Sequence, residues 1–173
     1  KSGWATGGQL VSAWGKVYRN VVAIRSPDRL RQGEELPPLL IGAHYDTVSG
    51  SPGADDNASG LVVLLEVASR LSTRPLARPV WLVAFCLEEQ DRLGSQAFAS
   101  RLKAERRELA GAIILECVGF ARSEAGTQQV LGGAQGRHVV RLARLGHARA
   151  RFGDAGERFL FELLVLAAHL DQL

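Results

Sequence analysis

The sequence predicts an α/β sandwich built on a largely parallel sheet. Continuous apolar runs of strand length, residues 39–43, 80–87 and 112–115, alternate with stretches whose apolar residues recur at helical spacing. Runs that are apolar at every position mark strands buried on both faces, and strands alternating with helices give this sandwich. Each run also ends in a histidine or a carboxylate. That puts polar chemistry at the carboxyl edge of the sheet, where open α/β folds hold their ligands.

The elements follow in order. Residues 1–15 carry Trp4, Trp14 and several glycines without a clear period and read as an irregular lead-in. Residues 17–24 are rich in β-branched and aromatic side chains, which predicts a strand. Residues 25–38 are polar with Pro27, Pro37 and Pro38, hence a loop. The first buried strand, 39–43, leads into a polar stretch rich in glycine and aspartate. A helix over 60–71 follows from apolar residues at 61, 62, 64, 65, 67, 68 and 71, with Asp56, Asn57 and Ser59 as capping types before it. A turn at 74–78 precedes the strand 80–87. Residues 95–110 read as a helix with Phe98, Leu102 and Leu109 on one side, and 112–115 is the next strand. Beyond Gln128 the composition shifts to arginine, alanine and glycine. A loop at 132–136, a helical stripe of Val139, Val140, Leu142 and Leu145, and an apolar helix over 157–173 are expected there.

The length of 173 residues predicts one domain over 1–173 with a substantial core. An apolar fraction of 46% and a charged fraction of 23% are those of an ordinary globular protein. The net charge of +3, without a basic run interleaved with aromatics, predicts no nucleic-acid partner. No window reaches the roughly 18 apolar residues of a membrane span. The chain opens at Lys1 without a methionine or a signal peptide, so cytoplasmic and exported locations both stay open. Cys86 and Cys117 lie in apolar runs and read as small buried hydrophobes.

His44, the pair Glu88 and Glu89, and Glu116 each follow a buried strand, and Asp56 precedes a helix returning from the same edge. In a parallel sheet these ends share one rim, where clustered carboxylates repel one another. A divalent cation compensates that charge, and nitrogen with carboxylate donors and no thiolate suits zinc. Asp46, two residues after His44 in extended chain, would take the proton of the imidazole nitrogen that does not bind metal. Glu88 and Glu89 project differently, so one can ligate metal while the other serves as a general base.

The blocks Gly42-Ala-His-Tyr-Asp-Thr-Val48, Ser51-Pro-Gly-Ala-Asp-Asp-Asn-Ala-Ser-Gly60, and Glu88-Glu89 followed by Gly94-Ser95 closely resemble metallopeptidase family twenty-eight, over about residues 18–119. The family includes the bacterial leucyl aminopeptidases and glutamate carboxypeptidase type II. The resemblance implies a three-layer α/β/α sandwich with a mixed sheet and a two-zinc exopeptidase site acting on N-terminal peptide bonds of peptide or aminoacyl substrates. Carried over by motif, His44 would bind one zinc, Asp56 would bridge both, and Glu89 would bind the other. Glu88 would be the general base, and Asp46 would orient His44. Glu116 stands where the family has an aspartate ligand.

The family's second half supplies a last histidine to the zinc of Glu89, and nothing after Gln129 matches it. His138, His147 and His169 lie in other contexts. The expected zinc count is therefore two by family and one or none if no histidine completes the second position. The tail over 130–173 is either a shortened, divergent end or a translated frameshift, which the coding DNA decides. The alternatives to a working aminopeptidase are an impaired member acting as a metal-binding or interaction domain, and a glutaminyl-cyclase-like acyltransferase. An incomplete sandwich would expose sheet, so a homo-oligomer is also expected.

Overall fold

The computed structural model describes residues 3–28, 36–120, 129–132 and 139–143, the last two segments by their strand pairing alone. Seven strands form one sheet in the order β1-β2-β4-β3-β5-β7-β6. These are β1 (Ala5–Ala13), β2 (Lys16–Arg25), β3 (Leu39–His44), β4 (Val80–Phe85), β5 (Gly111–Glu116), β6 (Gln129–Gly132) and β7 (Val139–Ala143). The central strands β4, β3, β5 and β7 are parallel, whereas β2 joins β4, and β6 joins β7, antiparallel. The sheet is mixed, as the family resemblance implied.

Helix α1 (Gly60–Leu71) covers one face and α2 (Leu93–Ala104) the other. The pleat sorts the apolar runs between them. Ile41, Leu82, Ile113 and Leu115 pack with Leu64, Val67 and Leu71 of α1. Leu40, Val83 and Phe85 pack with Phe98 of α2. A run apolar at every residue feeds two cores at once.

Four expectations change. Residues 5–13 form a strand, not an irregular lead-in. β1 is the edge strand, mostly exposed, so burial imposes no clean alternation on it. Its pairing is set by a two-residue turn in which Trp14 (φ 50) and Gly15 (φ 72) both take positive φ, the geometry of a type I′ hairpin. Helix α2 starts at Leu93 and stops at Ala104, short of the expected residue 110. Its end is a Schellman motif: Arg106 N–H donates to the Lys103 carbonyl and Arg107 N–H to the Leu102 carbonyl, with Arg106 left-handed at φ 51. The strand expected over 80–87 ends at Phe85, because Leu87 turns to φ 54. The apolar residues at 139, 140 and 142 belong to strand β7, paired in parallel with β5 from Ala112↔Val139 to Glu116↔Ala143, and not to a helix. The five apolar-rich residues are too few to tell the two periods apart, and the exposed flank of β5 supplies the partner. The expected helix over 157–173, most of the 132–136 loop and the three tail histidines lie outside the described residues. No helix among the described residues is long and apolar enough to cross a membrane.

Candidate metal centre

β3 ends at His44, β5 ends at Glu116, and β4 ends at Phe85, three residues before Glu88. Because these strands run in parallel and adjacent, their carboxyl ends meet at one rim. The loop after β3 turns at Gly53 (φ 65) into a kinked turn, Ala54–Ser59, which sets Asp56 over the same rim before α1 begins. The Asp56–Asn57 peptide is cis.

The His44 imidazole is 2% exposed. Its Nε2 lies 2.9 Å from Asp56 Oδ1, 3.2 Å from Glu116 Oε1 and 4.0 Å from Glu88 Oε2. One ligand atom each from His44, Asp56 and Glu116 falls within a span of 4.8 Å. A ring nitrogen and two carboxylate oxygens converging on one point form a donor set that fits a divalent ion such as zinc, which takes the imidazole in its unprotonated form. Glu89 stands outside that group of three, placed beside it by its main chain. The structure therefore brings together His44, Asp56 and Glu116, with Glu88 at their margin.

Asp46 acts through an atom that spacing alone did not suggest. His44 Nδ1 is 3.0 Å from the main-chain carbonyl of Asp46 and 3.6 Å from its carboxylate. The carboxylate instead accepts the Glu88 N–H at 3.0 Å and the Glu89 N–H at 3.1 Å. The chain leaves the strand at His44, so residues 44 and 46 are no longer related by extended geometry. The two amides beyond β4 have left the sheet ladder, and Asp46 is their acceptor. Asp46 thus ties the ring and the glutamate pair into one unit.

Charge follows from this packing. Burial alone would lower the His44 pKa, but the hydrogen bond and charge of Glu116, with the charges of Glu88 and Asp46, raise it from 6.5 to about 9. Burial raises the Glu88 carboxyl above its usual range. The His44 charge opposes this, and Glu116, Glu89 and Asp46 add to it. Cys117, half-buried beside Glu116, is pushed up to about 12 by burial and then by Asp56 and Glu116. Both cysteines are free, with the buried Cys86 thiol donating to Asn20 Oδ1 at 3.3 Å.

These shifts fix a sign. His44 and Glu88 both have raised pKa values in the folded chain, so without metal the folded state holds more protons than the unfolded one. The contribution of these two groups to the stability of the metal-free protein is then present at low pH, and the His44 part of it, complete below about 6.5, is lost as pH rises through about 9. A zinc ion needs the unprotonated ring, so zinc affinity is expected to climb about tenfold per pH unit up to about 9. Thermal melts of the metal-free chain and zinc titrations from pH 6 to 9 check both slopes. A melting temperature that rises with pH in the metal-free chain would contradict the proton count.

The sequence profile of Peptidase family M28 matches residues 20–154, and the chain belongs to that family. Among curated relatives, the chain is 36% identical over 140 residues to the uncharacterised protein YfbL of Escherichia coli (strain K12), covering 73% of this chain and 41% of the relative. It is 36% identical over 84 residues to aminopeptidase YwaD of Bacillus subtilis (strain 168), covering 49% of this chain and 18% of the relative. Among solved structures it superposes on the zinc aminopeptidase BSAP of Bacillus subtilis with a TM-score of 0.58 and 31% identity, over 68% of this chain and 28% of that one. The chain thus spans less than half the length of these relatives. The family match itself continues through β6 and β7, past residue 129.

Proposed function

We propose that this chain carries the metal-binding half of a zinc-dependent aminopeptidase-type exopeptidase. One observation carries the reading: His44 Nε2, Asp56 Oδ1 and Glu116 Oε1 converge within 4.8 Å at the sheet rim, with a fourth carboxylate, Glu88, 4.0 Å from the imidazole. His44, Asp56 and Glu116 would hold one zinc. Asp56 and Glu89 would contribute to a second position, which then needs a further ligand to reach the three that catalytic sites have. Bound zinc supplies a Lewis acid that polarises the scissile carbonyl and lowers the pKa of water toward about 7.

The chain's own residues do the rest. The Glu88 carboxylate accepts a proton from the attacking water, and its raised pKa brings it closer to the working pH, where a base is most effective. The same carboxyl then returns the proton to the departing amine. The main-chain carbonyl of Asp46 holds Nδ1–H of His44 and so aims Nε2 at the ion site. The Asp46 carboxylate keeps Glu88 and Glu89 at the rim. Burial around His44 keeps bulk water from the ring.

The expected result is release of p-nitroaniline from an aminoacyl p-nitroanilide by the zinc-loaded chain, lost on chelation and restored by zinc. A folded, zinc-loaded chain inert on a panel of such substrates would leave the impaired, metal-binding reading. That reading has support of its own: among the described residues, only the His44 set offers three converging donors. Calorimetry separates the two, with two zinc ions per chain for a complete centre and one for the impaired form.

A further inference from the structure

Resting on this metal-site reading, we propose that Asp55, Asn57 and Ser59 are positioning residues whose side chains clamp the Asp56 loop onto the end of β5 and so hold two zinc ligands at a fixed separation. The clamp follows from alternation. Asn57 Nδ2 donates to the Leu115 carbonyl at 2.9 Å, and Asn57 Oδ1 accepts the Cys117 N–H at 3.3 Å. Ser59 Oγ accepts the Val118 N–H at 3.0 Å, and Asp55 Oδ1 accepts the Gly119 N–H at 2.8 Å. Three successive amides leaving β5 are thus taken by three side chains at alternate positions of one loop. Among the residues skipped by the pattern are Asp56 on the loop and Glu116 on β5, the two whose carboxylates meet His44 Nε2.

Two glycines make room for this arrangement. A Cβ on Gly119 would lie 2.8 Å from Ser59 Cβ and 3.1 Å from Asp55 Oδ1. A Cβ on Gly60 would run into the Asn57 amide, whose Oδ1 accepts the Gly60 N–H at 3.1 Å. Asn57 is 2% exposed, so each lost bond leaves a buried polar group unpaired. Capping types ahead of a helix ordinarily satisfy the helix's own amides. Here Asp55 and Ser59 serve amides some sixty positions along the chain: 64 residues away for Asp55 and 59 for Ser59.

The clamp predicts that zinc affinity falls when it is opened, even though every ligand remains. Asn57→Ala and Gly119→Ala are expected to weaken zinc binding by about 10- to 100-fold in competition with a chromophoric chelator. The visible absorption of the cobalt-substituted site should change in intensity as well. Leu71→Ala, which opens the core at the far end of α1, is the comparison: it should lower the melting temperature and leave affinity and spectrum unchanged. If Asn57→Ala does not fold, Gly119→Ala and Ser59→Ala at the exposed end of the clamp give the same readout. Variants that bind zinc as tightly as the unaltered chain, with only their melting temperature reduced, overturn the clamp. An unaltered chain that takes up no zinc overturns the metal site first, and the clamp with it.

Discussion

Replacing Glu88 with glutamine is expected to slow zinc-dependent p-nitroaniline release by about 10²- to 10⁴-fold while zinc content stays the same. Glutamine keeps the size of the side chain but cannot accept a proton from water. The substitution leaves the Glu88 N–H on Asp46 Oδ1, so the loop keeps its place. Glu88 Oε2 is 4.0 Å from His44 Nε2, against 2.9 Å and 3.2 Å for the Asp56 and Glu116 oxygens, which puts it beside the donor set and not within it. The acid limb of the kcat/KM profile, set by the raised Glu88 carboxyl, should vanish in the variant. Retention of rate within tenfold would move the base to another residue. Loss of zinc would instead make Glu88 a ligand.

Gly94→Ala should be the most damaging substitution to the fold for its size. The first turn of α2 sits directly on the chain leaving β4, and a Cβ at Gly94 would overlap the Cys86 carbonyl and come 2.6 Å from Asn20 Oδ1. Asn20 is 0% exposed and joins three elements. Its Nδ2 donates to the Gly94 carbonyl at 2.8 Å and to Gln9 Oε1 at 2.9 Å, and its Oδ1 accepts the Cys86 N–H at 3.0 Å. Backbone cannot yield as a flexible side chain would, so α2 must lift and break that network. The cost is about 3 kcal/mol or more. For a chain of this size that lowers Tm by roughly 6–12 °C, read by circular dichroism. A Tm within 2 °C of the parent would mean that α2 docks more loosely than these distances imply.

The parts legible in the sequence are those that burial imposes. Residues 39–43 and 112–115 had to be strands, because only a strand between two helical layers buries every side chain. The α1 stripe was equally plain, since one face meets the core. The same logic placed His44, Asp56, Glu88 and Glu116 at one rim. What sequence did not reveal was decided by geometry with little hydrophobic signature. β1 owes its place to hairpin pairing and not to burial. Arg106 ends α2 in a left-handed conformation that a glycine would have announced. The atom of Asp46 that meets His44 depends on where the strand stops, a matter of one residue. Ser59 looked like an ordinary helix cap because the amide that donates to it lies 59 positions further along the chain.

That distance has a consequence in time. His44 and Glu116 are separated by 72 positions, and the clamp cannot close until Gly119 exists. At a synthesis rate of about 5–20 residues per second, roughly 4–14 s pass between the appearance of His44 and that of Glu116. Through that interval the imidazole is without one of the two carboxylates that meet its Nε2, and β3 without a parallel neighbour that the ribosome has yet to deliver. Non-local parallel pairing is itself slow, because loop closure must come first. On the proposed reading, capture of a metal by the complete donor set would follow the pairing of β3 with β5.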